Sequence, residues 1–280
     1  DEFDMQGRIG PVSGNTTAAA LIIDNPTLAP LVAGKVSAEL EGTLSTEAFS
    51  VSRGVIRSDA IDGNFSGTVA LTNGVIGLDL NAVVLSSALP APARPALADK
   101  VTITAELVRD DQGNTSANSL AIKSGGLTGN GQIKLGEQNI DVDLKGRIAD
   151  IGAFAPQARG TVDFALVASG DKRVPDVTAT ITSDQVSAAG RELKGLNLTA
   201  SGKADMANPA FAIKLGGDLS GQPLQGSAVV GMAGDSRELR DIAVSLGDNR
   251  ITGALKLADD NLPEGALSFE LKNIAALTAA

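Results

Sequence analysis

The residues of this chain that could carry out chemistry are its acidic pairs, because the sequence contains no His and no Cys. Two pairs, Asp110-Asp111 and Asp259-Asp260, lie among Gly and Asn residues that are typical of turns. A calcium loop needs several oxygen ligands at fixed spacing together with a glycine. Here Asp110-x-Gln112-x-Asn114 is followed by Thr115. We therefore interpret both pairs as solvated turns and predict no metal site.

Two further patterns resemble catalytic or cofactor motifs and are better explained by strands. Asp141 and Asp143 are two residues apart, which places both on one side of a strand, facing Lys134. This arrangement favours surface ion pairing over a catalytic carboxylate dyad. The glycines of Gly126-x-x-Gly129-x-Gly131 have the wrong order for a dinucleotide fingerprint, and no helix is predicted after them. We predict no cofactor site.

The composition excludes several classes of function. Without His or Cys, neither a Ser-His nor a Cys-His nucleophile can form, and zinc loses its usual ligands. We therefore predict that the protein is not an enzyme and has no catalytic residues. The net charge of −10 and the pI of about 4.6 argue against a nucleic-acid partner, whose phosphates attract a basic surface.

The elements that would have to position any site are β-strands. Apolar and polar residues alternate with period 2, as in Val101, Ile103 and Leu107, while Gly and Pro interrupt the chain too often for long helices. The Asn73-Gly74 dipeptide predicts a two-residue hairpin. Folding there would pair Leu71 with Ile76, Val69 with Leu78 and Gly67 with Leu80, which places the apolar partners on one face.

A second turn predicts the same one-sided pattern. A turn centred on Glu137-Gln138 would pair Leu135 with Ile140 and Ile133 with Val142. The same register sets Lys134 opposite Asp141 on the other face, a favourable cross-strand pair. Both turns together predict an antiparallel meander with one apolar side.

The sequence also repeats itself. Leu80, Leu144 and Leu271 end similar strands, and the intervals 144 − 80 = 64 and 271 − 144 = 127 are close to one and two units of one period. Residues 89–97 contain prolines that cannot donate ladder hydrogen bonds, so we predict a crossover loop there. We treat residues 1–280 as one repetitive segment.

A sheet with one apolar face and almost no helix must fold into a sandwich, a closed barrel or an open trough. The apolar residues are mostly aliphatic, with Gly between them, which favours a long curled trough over a tightly filled core. The predicted fold is thus all-β: an elongated, curled, mostly antiparallel sheet with an aliphatic concave face. The predicted groove lining comprises Val69, Leu71, Ile76, Leu78, Leu80, Val101, Ile103, Leu107, Ile133, Leu135, Ile140, Val142, Leu144, Val162, Phe164, Leu166, Phe211, Ile213, Leu215, Leu255, Leu257, Leu267, Phe269 and Leu271.

The second half of the chain resembles a known family. It carries Leu193-Lys-Gly-Leu-Asn-Leu-Thr-Ala-Ser-Gly202, Leu219-Ser-Gly-Gln-Pro-Leu-Gln-Gly226 and Leu246-Gly-Asp-Asn-Arg-Ile-Thr-Gly-Ala-Leu-Lys-Leu257. In order and spacing these segments resemble the TamB family of the AsmA-like superfamily, in an alphaproteobacterial style. The resemblance is strongest over 160–280, and the chain looks like an interior stretch.

The resemblance implies a β-taco fold in the periplasm of a diderm bacterium, within a parent protein anchored in the inner membrane. It also implies a TamA-like partner of the Omp85 type, and a role in outer-membrane protein and autotransporter assembly and in phospholipid transport. Phospholipid acyl chains and nascent outer-membrane β-strands would be the cargo.

The sequence is also compatible with other structures and functions. The apolar stripe could be an ordinary closed core. A β-helical adhesin or autotransporter passenger domain shares the high Gly, Asn and Thr content, but its strands would be parallel. A polysaccharide-active β-solenoid is disfavoured because the chain has no Trp or Tyr to stack on sugars.

Overall fold

The structure is a computed structural model that describes residues 10–18, 29–89, 91–205, 207–233, 236–257 and 263–273. The chain divides into two compact units, residues 1–137 and 138–280. The division coincides with the turn predicted at Glu137-Gln138, and the register proposed for that turn stays a prediction. Asp259-Asp260 lies outside the described residues.

The first unit is an open antiparallel sheet whose strands pair in chain order. No described pairing joins its first strand to its last, so the sheet does not close on itself. The strands are β1 (Gly10–Ala18), β2 (Val36–Leu44), β3 (Ala48–Arg57), β4 (Ile61–Ala70), β5 (Ile76–Leu85), β6 (Lys100–Arg109), β7 (Thr115–Ser124) and β8 (Leu127–Leu135).

The second unit has the same organisation with longer strands. The short strand β10 adds to β12 beside β11, and the remaining strands pair antiparallel with their neighbours in chain order, β9 with β11. The strands are β9 (Asn139–Ile148), β10 (Ala158–Arg159), β11 (Val162–Asp171), β12 (Asp176–Ala188), β13 (Arg191–Lys203), β14 (Ala210–Leu219), β15 (Gln222–Ala233), β16 (Ser236–Leu246), β17 (Asn249–Leu257) and β18 (Pro263–Glu270).

The prediction of an all-β, antiparallel fold with very little helix is confirmed. Strands make up 71% of the structure, and the helical elements of the described residues are short 3₁₀ turns: Ala29–Val32, Ser86–Ala88, Ala91–Ala96 and Ile151–Ala153. Every pairing within each unit is antiparallel, which is the opposite of the parallel ladders of a β-helix. The β-helical alternative is therefore wrong as a description of this fold.

The hairpin between β4 and β5 forms, but the predicted register is wrong by two residues. Val69 lies opposite Ile76 and Gly67 opposite Leu78. A two-residue type I′ turn needs a positive φ at both central positions, and here only Gly74 has one, at 70°. Asn73 Oδ1 instead accepts a hydrogen bond from Val75 N. The loop is longer than predicted, and the shift of two leaves every side chain on its predicted face.

Each unit contains a long connection with 3₁₀ turns between neighbouring strands, and the first unit has a further 3₁₀ turn, Ala29–Val32, before β2. Residues 86–99 connect β5 to β6, which agrees with the crossover predicted near 89–97, and residues 149–161 connect β9 to β11. We call these segments the crossovers. Each crossover joins the adjacent ends of two paired strands, so it lies at one end of the sheet in its own unit. We call this end of the sheet the crossover end.

Candidate functional site: one apolar face on each unit

The strand registers place the aliphatic residues of each unit on a single face, which we call the apolar face. In the first unit Leu78 lies opposite both Gly67 and Leu107, and Ala117 on β7 connects Leu107 to Ile133 on β8. Because side chains alternate along a strand, these rows share one side. Bulges such as the one at Ser119, where φ is 49°, absorb extra residues without moving the rows to the other side.

The second unit repeats the arrangement. Leu144 lies opposite Leu166, which lies opposite Ala179. Further along the sheet, Leu215 lies opposite Gly226, and Val244 completes that row. The rows therefore consist of large aliphatic residues with Gly and Ala between them, which leaves space above the backbone rather than a filled layer.

The predicted lining residues differ in accessibility. Val101 and Val162 are 1% exposed and Val142 is 8% exposed, so these three are packed into the sheet. Leu71 lies in a turn rather than a strand, and Leu271 directly follows β18. The exposed members are Leu71, Leu135, Leu267, Phe269 and Leu271. The half-buried members are Val69, Ile76, Leu78, Leu80, Ile103, Leu107, Ile133, Ile140, Leu144, Phe164, Leu166, Phe211, Ile213, Leu215 and Leu255, while Leu257 belongs to β17.

The crossover end of the first unit is closed. Val84 and Val101 are each 1% exposed there, and Ala88 of the crossover is also buried. Ser124 Oγ fixes the crossover because it accepts a hydrogen bond from Ala98 N at 2.9 Å and donates one to Lys100 O at 2.9 Å. These bonds give hydrogen-bond partners to the buried serine hydroxyl and to two backbone groups, which would otherwise be unpaired beneath the crossover.

The crossover end of the second unit is closed in a similar way. Val162 is 1% exposed and Val186 is 7% exposed. Ser183 Oγ donates a hydrogen bond of 2.6 Å to Thr161 O, at the end of the crossover. A β-carbon added to Gly160, which has a φ of 125°, would lie 2.8 Å from Gln185 O, so only glycine permits this close approach.

Away from the crossovers the apolar face is open in part, although Phe49 in the first unit and Val142 in the second are buried there. In the first unit the open part includes Leu71, in the turn between β4 and β5, and Leu135, at the end of β8, which are 52% and 45% exposed. In the second unit it lies on β14–β18, where Phe269 is 57% exposed and every residue of β18 is classed as exposed. Exposed aliphatic rows of this kind are typical of surfaces that bind an apolar partner.

The opposite face of each unit is polar and carries the ion pairs. Arg147 forms two parallel hydrogen bonds with Asp163, of 2.7 and 2.9 Å. These bonds lower the pKa of Asp163 and raise the pKa of Arg147. Asp141 and Asp143 lie on this face, opposite Ser169 and Val167. The groups are exposed, so they make the face soluble and contribute little to stability.

Acidic clusters do not form a metal site in the described part of the chain, where no three carboxylates lie close enough to share an ion. Asp110 Oδ1 accepts hydrogen bonds from Gln112 N and Asn114 N. The side-chain hydrogen bond from Asn114 is the main cause that lowers the pKa of Asp110. Asp110 therefore stabilises its own turn. None of the described helices is long and apolar enough to cross a membrane.

The polar face of the second unit also contains a depression of ≈ 520 Å³. It lies between two rows of side chains that include Lys214, Ser227 and Arg250. Glu270 is directly opposite Arg250 on β18, so a carboxylate opposes the positive charge there. We assign this depression no ligand.

The residues that close the face are not among those predicted from the sequence, except for Val101 and Val162. The buried valines follow a shared signal, Lys35-Val36, Lys100-Val101 and Thr161-Val162, each at the start of a strand after a connection. This repeat could have been read from the sequence. The partners of Ser124 and Ser183 could not, because each lies more than 20 residues away in the chain.

Comparison with protein-family models, with curated proteins and with solved structures found no match to this chain. The resemblance to the TamB family therefore stays an interpretation of the sequence. What the structure defines is an antiparallel sheet in each unit, with one apolar and one polar face.

Proposed function

We propose that this chain is a segment of a TamB-like periplasmic bridging protein whose apolar face carries phospholipid acyl chains between the two membranes of a diderm bacterium. The observation that carries the proposal is that, in each unit, aliphatic rows occupy one face, are closed at the crossover end and include exposed residues, at Leu135 in the first unit and along β18 in the second. A sealed core would have been closed on all sides.

The hydrophobic effect supplies the physical reason for lipid transfer. Each CH₂ removed from water contributes about 0.8 kcal/mol, so an acyl chain of ~16 carbons resists entering water by on the order of 10 kcal/mol. A continuous aliphatic surface removes most of this barrier at every step. It needs no specific polar site, since rows of Leu, Ile and Val bind all parts of the chain equally well.

By the same resemblance, the parent protein would be anchored in the inner membrane and would reach a TamA-like Omp85 protein in the outer membrane. This arrangement would allow the sheet to support the assembly of outer-membrane proteins and autotransporters as well as lipid transport. The uncovered strand β18 favours nascent β-strands as a second cargo, because within the described residues it pairs only with β17. An exposed strand edge accepts a further strand.

Photo-crosslinking tests lipid binding directly. A photoreactive amino acid at Leu78 or Leu144, which are half-buried on the apolar face, should capture phospholipid in cells or from vesicles. The matched controls are Asp79 and Asp143, the adjacent residues on the polar face, which should capture little. Equal capture at all four positions, or none at Leu78 and Leu144, would contradict the proposal.

Strand capture is tested separately at the edge. Phe269→Lys together with Leu267→Lys places two charges on β18 and should reduce crosslinking of nascent outer-membrane proteins to that strand. Lipid capture at Leu78 should be unchanged. If nascent chains crosslink to β18 as before, this edge does not receive them.

A further inference from the structure

A single arginine interrupts the apolar face of the first unit. Arg109 lies at the end of β6, opposite Ile76 on β5 and Thr115 on β7. Along β1–β8 it is the one charged residue whose register falls on the apolar face; the other charged strand residues belong to the polar face. A charge placed among aliphatic rows needs an explanation, because a sheet that merely packs would use an apolar residue there.

The guanidinium of Arg109 lies at the rim of the open part of the face, opposite to the crossover end. A β-carbon added to Gly74 would lie 3.7 Å from Nη1, and one added to Gly113 would lie 3.6 Å from Nη2. The group therefore lies beside the tips of two neighbouring turns. It forms no hydrogen bond or salt bridge with any described residue, because the nearby Asp110 carboxylate is bonded to the amides of its own turn.

The uncovered part of the second unit shows the same feature. On β14–β18, Arg237 is the one charged residue whose register falls on the apolar face, opposite Met232 and Leu257. It is exposed and, among the described residues, forms no ion pair, whereas the adjacent Glu238 pairs with Arg240. Arg237 is the second residue of β16 and Arg109 is the last residue of β6, so each lies at the end of its strands opposite to the crossover of its own unit.

The distance from this rim to the closed end suits an acyl chain. Half of a bilayer core is about 15 Å thick, and a strand rises about 3.4 Å per residue. A chain that starts at Arg109 would thus pass the half-buried Leu107 and end at Ala105, which is 7% exposed and marks the beginning of the covered part of β6. A guanidinium matches the oxygens of a phosphate with two parallel hydrogen bonds.

We propose that Arg109 binds the phosphate of a phospholipid whose acyl chains lie along the open apolar face of the first unit, and that Arg237 has this role on the second. The inference rests on the proposed function, since it assigns a headgroup site to the same face. It adds a direction: the headgroup lies at the turns opposite the crossover, and the chain ends point toward the crossover.

The test uses the purified chain in maltoside micelles, which contain no phosphate. Three photoreactive probes share one acyl chain: phosphatidylglycerol, diacylglycerol without phosphate, and the free fatty acid. We expect phosphatidylglycerol to label the peptide containing Leu107 more than diacylglycerol does. Arg109→Leu should reduce this labelling about three- to tenfold, to the level of diacylglycerol, as expected for loss of a charge-assisted hydrogen bond. Arg109→Lys should retain part of it.

The matched control is Arg250→Leu, which removes an arginine of the polar face and should leave labelling unchanged. Arg237→Leu should reduce labelling of the second unit only. Three outcomes would refute the headgroup site: the Arg109→Leu variant is labelled as strongly as the native chain, Arg250→Leu reduces the labelling as much as Arg109→Leu does, or the fatty acid labels the native chain more strongly than phosphatidylglycerol. If no probe labels the apolar face of the native chain, the proposed lipid binding itself fails.

Discussion

The two units have the same strand pattern but differ in how much of the apolar face is covered. Among the described residues, ten apolar side chains of the first unit are buried, from Val36 to Leu120, and four of the second, from Val142 to Val186. The four lie on β9–β12: Val162 and Val186 near the crossover, and Val142 and Ala168 toward the opposite ends of β9 and β11. The described residues of β14–β18 include none. The apolar face is therefore buried more in the first unit than in the second.

The largest expected difference concerns a charge placed on the apolar face. Val84→Lys puts an ammonium group at a position that is 1% exposed beneath the first crossover, and it should lower the free energy of unfolding by about 4 kcal/mol or more. Phe269→Lys, at a position that is 57% exposed, should change it by less than about 0.5 kcal/mol. Urea unfolding of both variants measures this. Similar losses would mean that the second unit is covered after all.

A smaller difference is expected within one strand of the second unit. Val162 and Val167 both belong to β11 but are 1% and 46% exposed. Val162→Ala should destabilise the protein by about 2 kcal/mol, because it leaves a cavity, and Val167→Ala by less than about 0.5 kcal/mol. Val101→Ala should match Val162→Ala if the two crossovers cover their units equally. A clearly smaller loss for one of them would show that its crossover packs loosely.

The serines that hold the crossovers should have a further, local effect. Ser124→Ala removes a hydrogen bond to Ala98 N and one to Lys100 O, and it should cost about 1–2 kcal/mol. Hydrogen exchange of the Ala98 amide should accelerate. Ser50→Ala, at an exposed position on β3, is the control and should have no such effect. An unchanged rate at Ala98 would mean that the crossover does not depend on Ser124.

The smallest effect concerns pH and the polar face. The pKa of Asp163 is lowered by its hydrogen bonds with Arg147. The ion pair therefore contributes fully to the free energy of unfolding above the unfolded-state pKa near 3.8, and this contribution is lost as the pH falls through the lower pKa of the folded state. Asp163→Asn should remove this part of the acid dependence of unfolding. Asp79→Asn, on the polar face of the first unit, provides the comparison. An acid unfolding curve identical to that of the native chain would show that the pair does not contribute.

The sequence predicted the strands well because alternation with period 2 is a local signal. It also placed Leu78 and Leu107 on one face despite a wrong hairpin register, since a shift of two residues preserves the side of every residue. The crossover at 149–161 was not predicted, because it contains a single proline, Pro156, where the first crossover contains three. Arg109 was missed because it reads as the polar end of a strand.

The amino-acid order alone determined that this protein is an antiparallel sheet and that it has no imidazole or thiol, because strand alternation and the absence of His and Cys are properties of the chain itself. Only the tertiary structure decided which parts of the aliphatic face are closed, and that a lone arginine stands at the rim of each open part. Burial and charge placement depend on residues that are distant in sequence, such as Ser124 and Ala98, and no local pattern records those contacts.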